Sequence, residues 1–268
     1  MEQPDFSIVI PSLNQGPWLP EAVESIRTAS RTARCRTEIH VVDGGSTDGT
    51  VEFLQTQTGI TWISEPDRGQ ADAINKGLKK ARGQVFAYLC ADDSYEPAAF
   101  ERVLGAFRDH SSADFVYGDG FFLEGDSGWK RPKKAGPFSW ERLARGNFLI
   151  QPAVFMRAAL VRRVGEFDAA LRYCMDHEYW LRAGPGARWV YVEEPLATCR
   201  LHAEAKTSRA LAEAWWEAAR MQKRFGRFWR PHFQALWMET AGHRLYRLRR
   251  RIYRSLGHRR SRGQLLNQ

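Results

Sequence analysis

The sequence predicts an α/β fold, a doubly wound sheet of mostly parallel strands followed by a basic helical extension. Three observations carry this. Strand-like runs at Phe6–Ile10, Glu38–Val42, Ile60–Ser64 and Val85–Cys90 alternate with helical stretches, and such strand–loop–helix units in series build parallel sheets. Each run ends in a loop rich in Gly, Pro, Ser or acids, the edge where open α/β sheets bind ligands. Charge is also unevenly spread. Residues 1–208 hold 25 Lys and Arg against 28 Asp and Glu, whereas residues 209–268 hold 15 against 3. This shift near Ser208 divides the chain into a body, residues 1–208, and a tail, residues 209–268.

At 268 residues the chain can bury a full core as one domain with an appendage. Met1 to Asp5 is acidic and runs straight into a strand, unlike a secretory leader. No apolar stretch approaches the ~20 residues of a membrane span. Cys35, Cys90, Cys174 and Cys199 are scattered without metal-type spacing, which fits unpaired thiols in a reducing cytoplasm.

The first strand ends at Pro11-Ser-Leu-Asn-Gln-Gly-Pro17, and a helix follows over about Trp18–Ala29. The loop lacks Gly-x-Gly-x-x-Gly, and no P-loop Gly-Lys-Ser/Thr occurs. The second strand ends at Asp43-Gly-Gly-Ser-Thr-Asp-Gly49. Its glycines let backbone approach a ligand, and Ser46 and Thr47 are placed to cap the next helix. After the third strand, Asp67, Arg68, Asp72, Asn75 and Lys76 cluster around a helix start. Such a run fits either ordinary helix-dipole complementation or a grip on a nucleotide or diphosphate.

The fourth strand is apolar on both faces and ends in two adjacent acids, Asp92 and Asp93. Adjacent carboxylates at a ligand-binding edge suit Mg²⁺ or Mn²⁺ shared with substrate phosphates. The pair alone fits equally well a helix cap before Pro97. Further on, Asp114–Gly120 reads as a strand ending near the cleft. Trp129–Lys134 is a basic run, either a solvated hairpin or a phosphate-contacting loop. Asp176 and Glu178 lie two apart at the start of a helix over Asp176–Ala183. Residues two apart do not share a helical face, so one can enter a cleft while the other turns away.

Taken together, Ile10-Pro-Ser-Leu-Asn14, Val42-Asp-Gly-Gly-Ser-Thr-Asp-Gly49, Ser64-Glu-Pro-Asp-Arg-Gly-Gln70 and Ala91-Asp-Asp-Ser94 resemble the successive motifs of the family 2 glycosyltransferases. The match continues through Asn147–Phe155, Val164–Asp168, Met175–Arg182 and Arg200–His202, covering about residues 6–208. The resemblance implies a GT-A-type, Rossmann-like three-layer α/β/α sandwich. It implies that Asp43 binds the base of a nucleotide-sugar, UDP by default, and that Pro11, Ser12 and Asn14 frame the same base. Asp67 and Arg68 then lie near the nucleotide and diphosphate, with Asp72, Asn75 and Lys76 beside them. Asp92 and Asp93 match an Asp-x-Asp-like element, with Asp93 the direct ligand of Mn²⁺ or Mg²⁺. His202 falls near the diphosphate and metal. Asp176 falls on the catalytic base and is preferred over Glu178, and Gln151 and Glu178 are assigned to the acceptor side. Inversion at the sugar carbon is implied as well.

Two positions depart from the pattern. Cys90 stands where an acid or Asn is common, which leaves the number of carboxylates around a metal open. Met175 stands where Glu often precedes the base, so the strength of Asp176 must come from local burial.

In the tail, Leu211–Phe225 has helical period and carries Trp215 and Trp216. A second helix is predicted from about Phe233 to Leu256, interleaving apolar and aromatic residues with arginines. Basic amphipathic helices of this kind lie in membrane interfaces, each cation adding ~1 kcal/mol near anionic lipid. The expectation is a peripheral enzyme on the inner face of the plasma membrane, acting on a saccharide or lipid-linked saccharide of envelope polysaccharide synthesis. Packing on the body, or nucleic-acid binding, would serve the same composition; a purely nucleic-acid role leaves the acidic loop ends unexplained. A non-catalytic nucleotide-sugar or membrane-binding module on the same fold is the alternative function. A nucleotidyltransferase is disfavoured because Pro11–Gly16 has no basic residue to hold a triphosphate.

Overall fold

Four of the strands lie parallel and side by side, and their shared edge positions everything that follows. The computed structural model describes residues 2–125, 128–202, 206 and 210–225. The strands are β1 (Phe6–Ser12), β2 (Thr37–Asp43), β3 (Ile60–Ser64), β4 (Val85–Tyr88), β5 (Ser94–Tyr95), β6 (Phe115–Glu124), β7 (Lys130–Lys133), β8 (Val154–Arg157) and β9 (Trp189–Leu201). They form one sheet in the order β3-β2-β1-β4-β8-β6-β9-β5, with β7 paired to β6. The β3-β2-β1-β4 half is parallel. The other half is mixed: β8 runs antiparallel between β4 and β6, while β9 runs parallel to β6. This alternation brings the carboxyl ends of β1–β4, the amino end of β8 and the carboxyl end of β9 to one edge.

The layers follow from the side-chain period of two in a strand. Phe6, Ile8 and Ile10 of β1, with Val85 and Ala87 of β4, face helices α1 (Leu19–Ala33) and, after α2 (Thr50–Gln55) and α3 (Gln70–Leu78), α4 (Ala99–Asp109). Val9, Phe86 and Tyr88 face the opposite core, which also holds α3 residues and those of α5 (Trp140–Arg145), α6 (Ala158–Val164) and α7 (Met175–Ala183). Helix α1 buries Leu19, Ala22, Val23, Ile26 and Ala29, an i, i+3, i+4 stripe. Each large apolar side chain so buried contributes roughly 1.5–3 kcal/mol. Phe6 stacks on Phe100 with ring centroids 4.2 Å apart, tying β1 to α4. Gly77 lets α3 lie close on β1: a Cβ there would meet Val9 Cγ1 at 2.5 Å.

The first and second strands each run further than their apolar cores predict, because backbone pairing continues to Ser12 and Asp43, and α1 runs on to Ala33. The basic run Trp129–Lys134 is an exposed hairpin strand against β6. Lys130 pairs with Glu96 and Lys134 with Glu193, both at 3.1 Å.

The chain divides into two units, Met1–Gly226 and Arg227–Gln268; all residues described from the tail fall in the first. The boundary drawn at Ser208 from charge therefore precedes a helix, α8 (Leu211–Arg224), that belongs with the body. The Glu217 carboxylate accepts the backbone N–H groups of Arg172, Tyr173 and Cys174 at 2.6–2.9 Å. Arg224 pairs with Asp168 at 2.9 Å. Charge counts do not reveal such a cap, because one buried carboxylate decides where the helix packs. The second predicted tail helix lies outside the described residues. Among the described residues, no helix is long and apolar enough to cross a membrane.

Candidate functional site

The loops after β1 and β2 are laced together. Asn14, in a left-handed conformation at φ 52° that Asn tolerates better than most residues, accepts from Thr47 N at 3.0 Å, and its own N–H donates to Ser46 Oγ at 2.7 Å. Gly16 N donates to Asp48 Oδ2 at 2.8 Å. Asp43 is fully buried beneath these loops. It accepts from Gly45 N, Ser46 N and the Ser46 hydroxyl, and from Ser64 Oγ at 2.7 Å. Ser46 thus serves Asp43 rather than capping α2, whose N-cap is Gly49. The Ser12 hydroxyl beside Asp43 is buried with no partner among the described residues.

Asp67 accepts from Gly69 N at 2.8 Å and packs against Gly44, where a Cβ would sit 2.8 Å from Asp67 Oδ2. Arg68 is exposed and pairs with Asp72 at 3.0 Å. Two residues of this cluster serve the scaffold. Asn75 is buried, giving Nδ2 to Phe167 O and accepting from Phe167 N, both at 2.8 Å. Its amide is therefore spent on backbone 92 residues away and is not offered to a nucleotide. Lys76 closes on Glu65 at 2.8 Å and the Pro66 carbonyl at 3.3 Å, holding the loop after β3.

At the end of β4, the chain supplies three metal-capable donors. One ligand atom each from Cys90, Asp92 and Asp93 lie within 4.8 Å of one another. His202, from the end of β9, places Nε2 2.9 Å from Asp92 Oδ2 and packs its ring on Trp18 at 4.4 Å. Asp93 accepts from Arg200 N at 3.0 Å. Burial, and then the neighbouring Asp92 charge, push its carboxyl well above the ordinary range. Two crowded carboxylates with one driven toward its neutral form are a donor set that a cation would satisfy. The residues therefore fit a divalent ion. Neither Asp93 nor Ser94 caps α4, which starts after Ala98.

Asp176 sits in the first turn of α7 and accepts from Asn147 Nδ2 at 2.8 Å. Burial raises its carboxyl above the ordinary value; the hydrogen bonds to His177 N and Asn147 only partly offset this. Asn147, which holds Asp176, and Gln151, which meets Cys90, stand on one short segment, 147–151. The base candidate and the donor cluster thus share one region of the edge. Glu178 does not join them. It is buried in an ion pair with Arg182 at 2.9 Å, and Arg182 also holds the Val164 and Glu166 carbonyls. It fastens α7 to the end of α6 and the loop after it, the half of the two-residue offset that turns away from the donor cluster. Gln151 donates to Tyr88 O at 2.9 Å and accepts from Cys90 Sγ at 3.7 Å, so it braces the donor cluster instead of an acceptor pocket.

Asn147, Gln70, Trp18 and Lys206 are site residues that sequence reasoning missed. Gln70 Nε2 reaches Cys90 Sγ at 3.1 Å, and Lys206 Nζ reaches Gln70 Oε1 at 3.3 Å. Asn147 and Gln70 stand inside the quoted motifs, but nothing in a motif says which carboxylate or thiol an amide will meet.

A mixed sheet with a ligand edge of this make-up is the GT-A glycosyltransferase fold. Solved structures that share it include the following two. S. aureus TarS 1–349 in complex with UDP-GlcNAc matches with TM-score 0.61 and 16% identity, over 81% of this chain and 65% of that one, just under two thirds of its length. A mannosyltransferase, PcManGT from Pyrobaculum calidifontis in complex with GDP-Man and Mn²⁺, matches with TM-score 0.60 and 17% identity, over 88% and 68%. The family model "Glycosyl transferase family 2" matches residues 7–163. A PGL/p-HBAD biosynthesis glycosyltransferase of Mycobacterium bovis is 32% identical over 188 residues, 68% of this chain and 70% of the relative. The chain belongs to glycosyl transferase family 2.

Proposed function

We propose that the protein transfers a sugar from a nucleoside-diphosphate sugar to an acceptor hydroxyl, with inversion and with dependence on Mn²⁺ or Mg²⁺. The observation that carries this is the meeting of Asp92, Asp93 and His202 with Asp176 along one sheet edge. Asp43 and the loop Pro11–Asn14 bind the base, and the unpartnered Ser12 hydroxyl supports a polar ligand there. Asp67 and Arg68 flank the nucleotide. Asp93, with Asp92 and His202, holds the divalent ion; when bound, such an ion offsets the charge of the departing diphosphate. Asp176 takes the acceptor hydroxyl's proton, and its burial supplies the basicity that Met175 does not. Inversion is what the resemblance to family 2 glycosyltransferases implies, and one base for the acceptor hydroxyl is consistent with it.

UDP is the default donor nucleotide, supported by the UDP-GlcNAc complex of TarS; GDP-Man in the second neighbour keeps guanine in the screen. The biosynthetic name of the mycobacterial relative supports a saccharide or lipid-linked acceptor of envelope synthesis. The strongly basic residues 209–268 support seating on an anionic membrane, the inner face of the plasma membrane, with no nucleic-acid partner. Exposed Trp216 on α8 is consistent with that.

The test is a thermal-shift screen of UDP, GDP, dTDP and CMP and their sugars, with and without Mn²⁺ or Mg²⁺. A ligand at a hundred times its Kd stabilises by about 2.7 kcal/mol. A metal-dependent shift with one nucleotide supports the reading. No shift with any favours the non-catalytic, membrane-binding alternative, and a shift without turnover favours a non-catalytic nucleotide-sugar-binding module.

A further inference from the structure

Cys90 is the donor that an oxygen-only ion site would not need. Cys90 is half-buried, and its sulfur stands within 4.8 Å of a carboxylate oxygen of both Asp92 and Asp93. Two ligands on one ion, each at ~2.0–2.3 Å, lie at most ~4.6 Å apart. Three ligands sharing one ion lie at most ~4.0 Å apart, so a closure of up to about an ångström lets all three reach a shared ion. The sulfur is also held in place. Gln70 donates to it at 3.1 Å, Gln151 accepts from it at 3.7 Å, and both amides are themselves fixed, by Lys206 and by the Tyr88 carbonyl. Ligands braced by a second layer of hydrogen bonds are characteristic of metal sites.

A second observation points the same way. His202 is nine-tenths buried, its Nε2 lies on Asp92, and its Nδ1 has no partner among the described residues. The cluster thus combines sulfur, nitrogen and oxygen donors. Oxygen-only sets suit Mg²⁺, whereas thiolate and imidazole favour Zn²⁺ and softer ions.

We propose that Cys90 Sγ is a metal ligand, so that this site takes thiophilic divalent ions, Zn²⁺ and Cd²⁺, in preference to Mg²⁺. On binding, the Sγ–H bond breaks, the proton leaves to water and the sulfur lone pair bonds to the ion. The inference rests on reading this cluster as the divalent-ion site.

The experiment titrates the full reduced chain with Cd²⁺ and follows the near-ultraviolet thiolate-to-cadmium absorbance, while Mn²⁺ binding is measured separately by spin resonance. Wild type should show the band saturating at one ion per chain. Cys90→Ser should lose it and bind Cd²⁺ roughly 10- to 100-fold more weakly, the loss typical when a metal site is disturbed, yet still bind Mn²⁺. Cys35→Ser should keep the band. Normal Mn²⁺ binding with no band, or a band retained in Cys90→Ser, overturns the inference and leaves the ion site standing. Binding of neither ion overturns both. Should Cys90→Ser fail to fold, peptide mapping of wild-type alkylation decides: Cd²⁺ protecting Cys90 but not Cys35 supports the inference, and equal labelling overturns it.

Discussion

Asp43 ends β2 and Asp93 lies just beyond β4, at the same edge of the sheet with β1 between the two strands, yet their carboxylates are met very differently. Asp43 is buried and answered by two backbone N–H groups and two hydroxyls. Asp93 is buried beside another carboxylate, and its carboxyl is pushed up by burial and by Asp92. Asp176 is raised by burial alone, with no second carboxylate against it, and its hydrogen bonds only partly offset this. The difference teaches that a carboxylate completed by its own loops shapes a site. One left under-satisfied is poised for a cation or a proton, because its missing interactions are those a ligand supplies.

The largest effect that would sharpen this contrast is at the base. Asp176→Asn should cut turnover by at least the ~10²–10⁴-fold attributed to a positioned base, with donor binding by calorimetry unchanged. Near-normal turnover would break the assignment. Asp93→Asn and Asp43→Asn should then move stability in opposite directions. Asp43→Asn leaves donors facing a poorer acceptor and should destabilise by roughly 1.5–3 kcal/mol in urea unfolding. Asp93→Asn removes a crowded charge and should leave the metal-free protein as stable or more so, while abolishing metal-dependent donor binding.

The pH dependence is smaller but has a definite sign. Asp176 works ionised and its carboxyl is raised, so the acid limb of kcat/KM should lie above the ordinary carboxylate range. An acid limb at the ordinary value would show that burial does not tune it. Glu217 is the counterexample outside the site. Burial raises its carboxyl, but three backbone N–H groups outweigh that and leave it lowered. A lowered folded value contributes stability that is complete above the unfolded value, ~4.3, and is lost as pH falls through the folded one. Glu217→Gln should flatten this acid-side loss. The smallest effect on chemistry is expected from Glu178→Gln, which should weaken the α7 attachment and leave kcat nearly intact.

Much of the site was legible in the sequence because parallel strands place acids at their carboxyl ends by period alone. Asp43, Asp67, Asp92 and Asp93 are legible as acids at or just beyond strand ends, where the structure also has them, and the role proposed for Asp176, at a helix start, rests on the family resemblance. Asn75, Glu178 and Gln151 were misplaced for one reason. A helical or loop position gives the face of an element but not the partner that face meets, and these partners, Phe167, Arg182 and Tyr88, come from other elements.

The sequence by itself determined the alternating architecture, the acidic strand ends and the family. Local periodicity and loop chemistry are written into neighbouring residues. Only the tertiary structure decided that β8 inserts antiparallel and β9 returns parallel, carrying Gln151 and His202 to the Asp92 edge. It alone set which carboxylates are satisfied and which remain open, and fastened α8 to the body through Glu217. Those outcomes depend on pairings between residues far apart in the chain, where burial and hydrogen bonding are settled by packing rather than by sequence order.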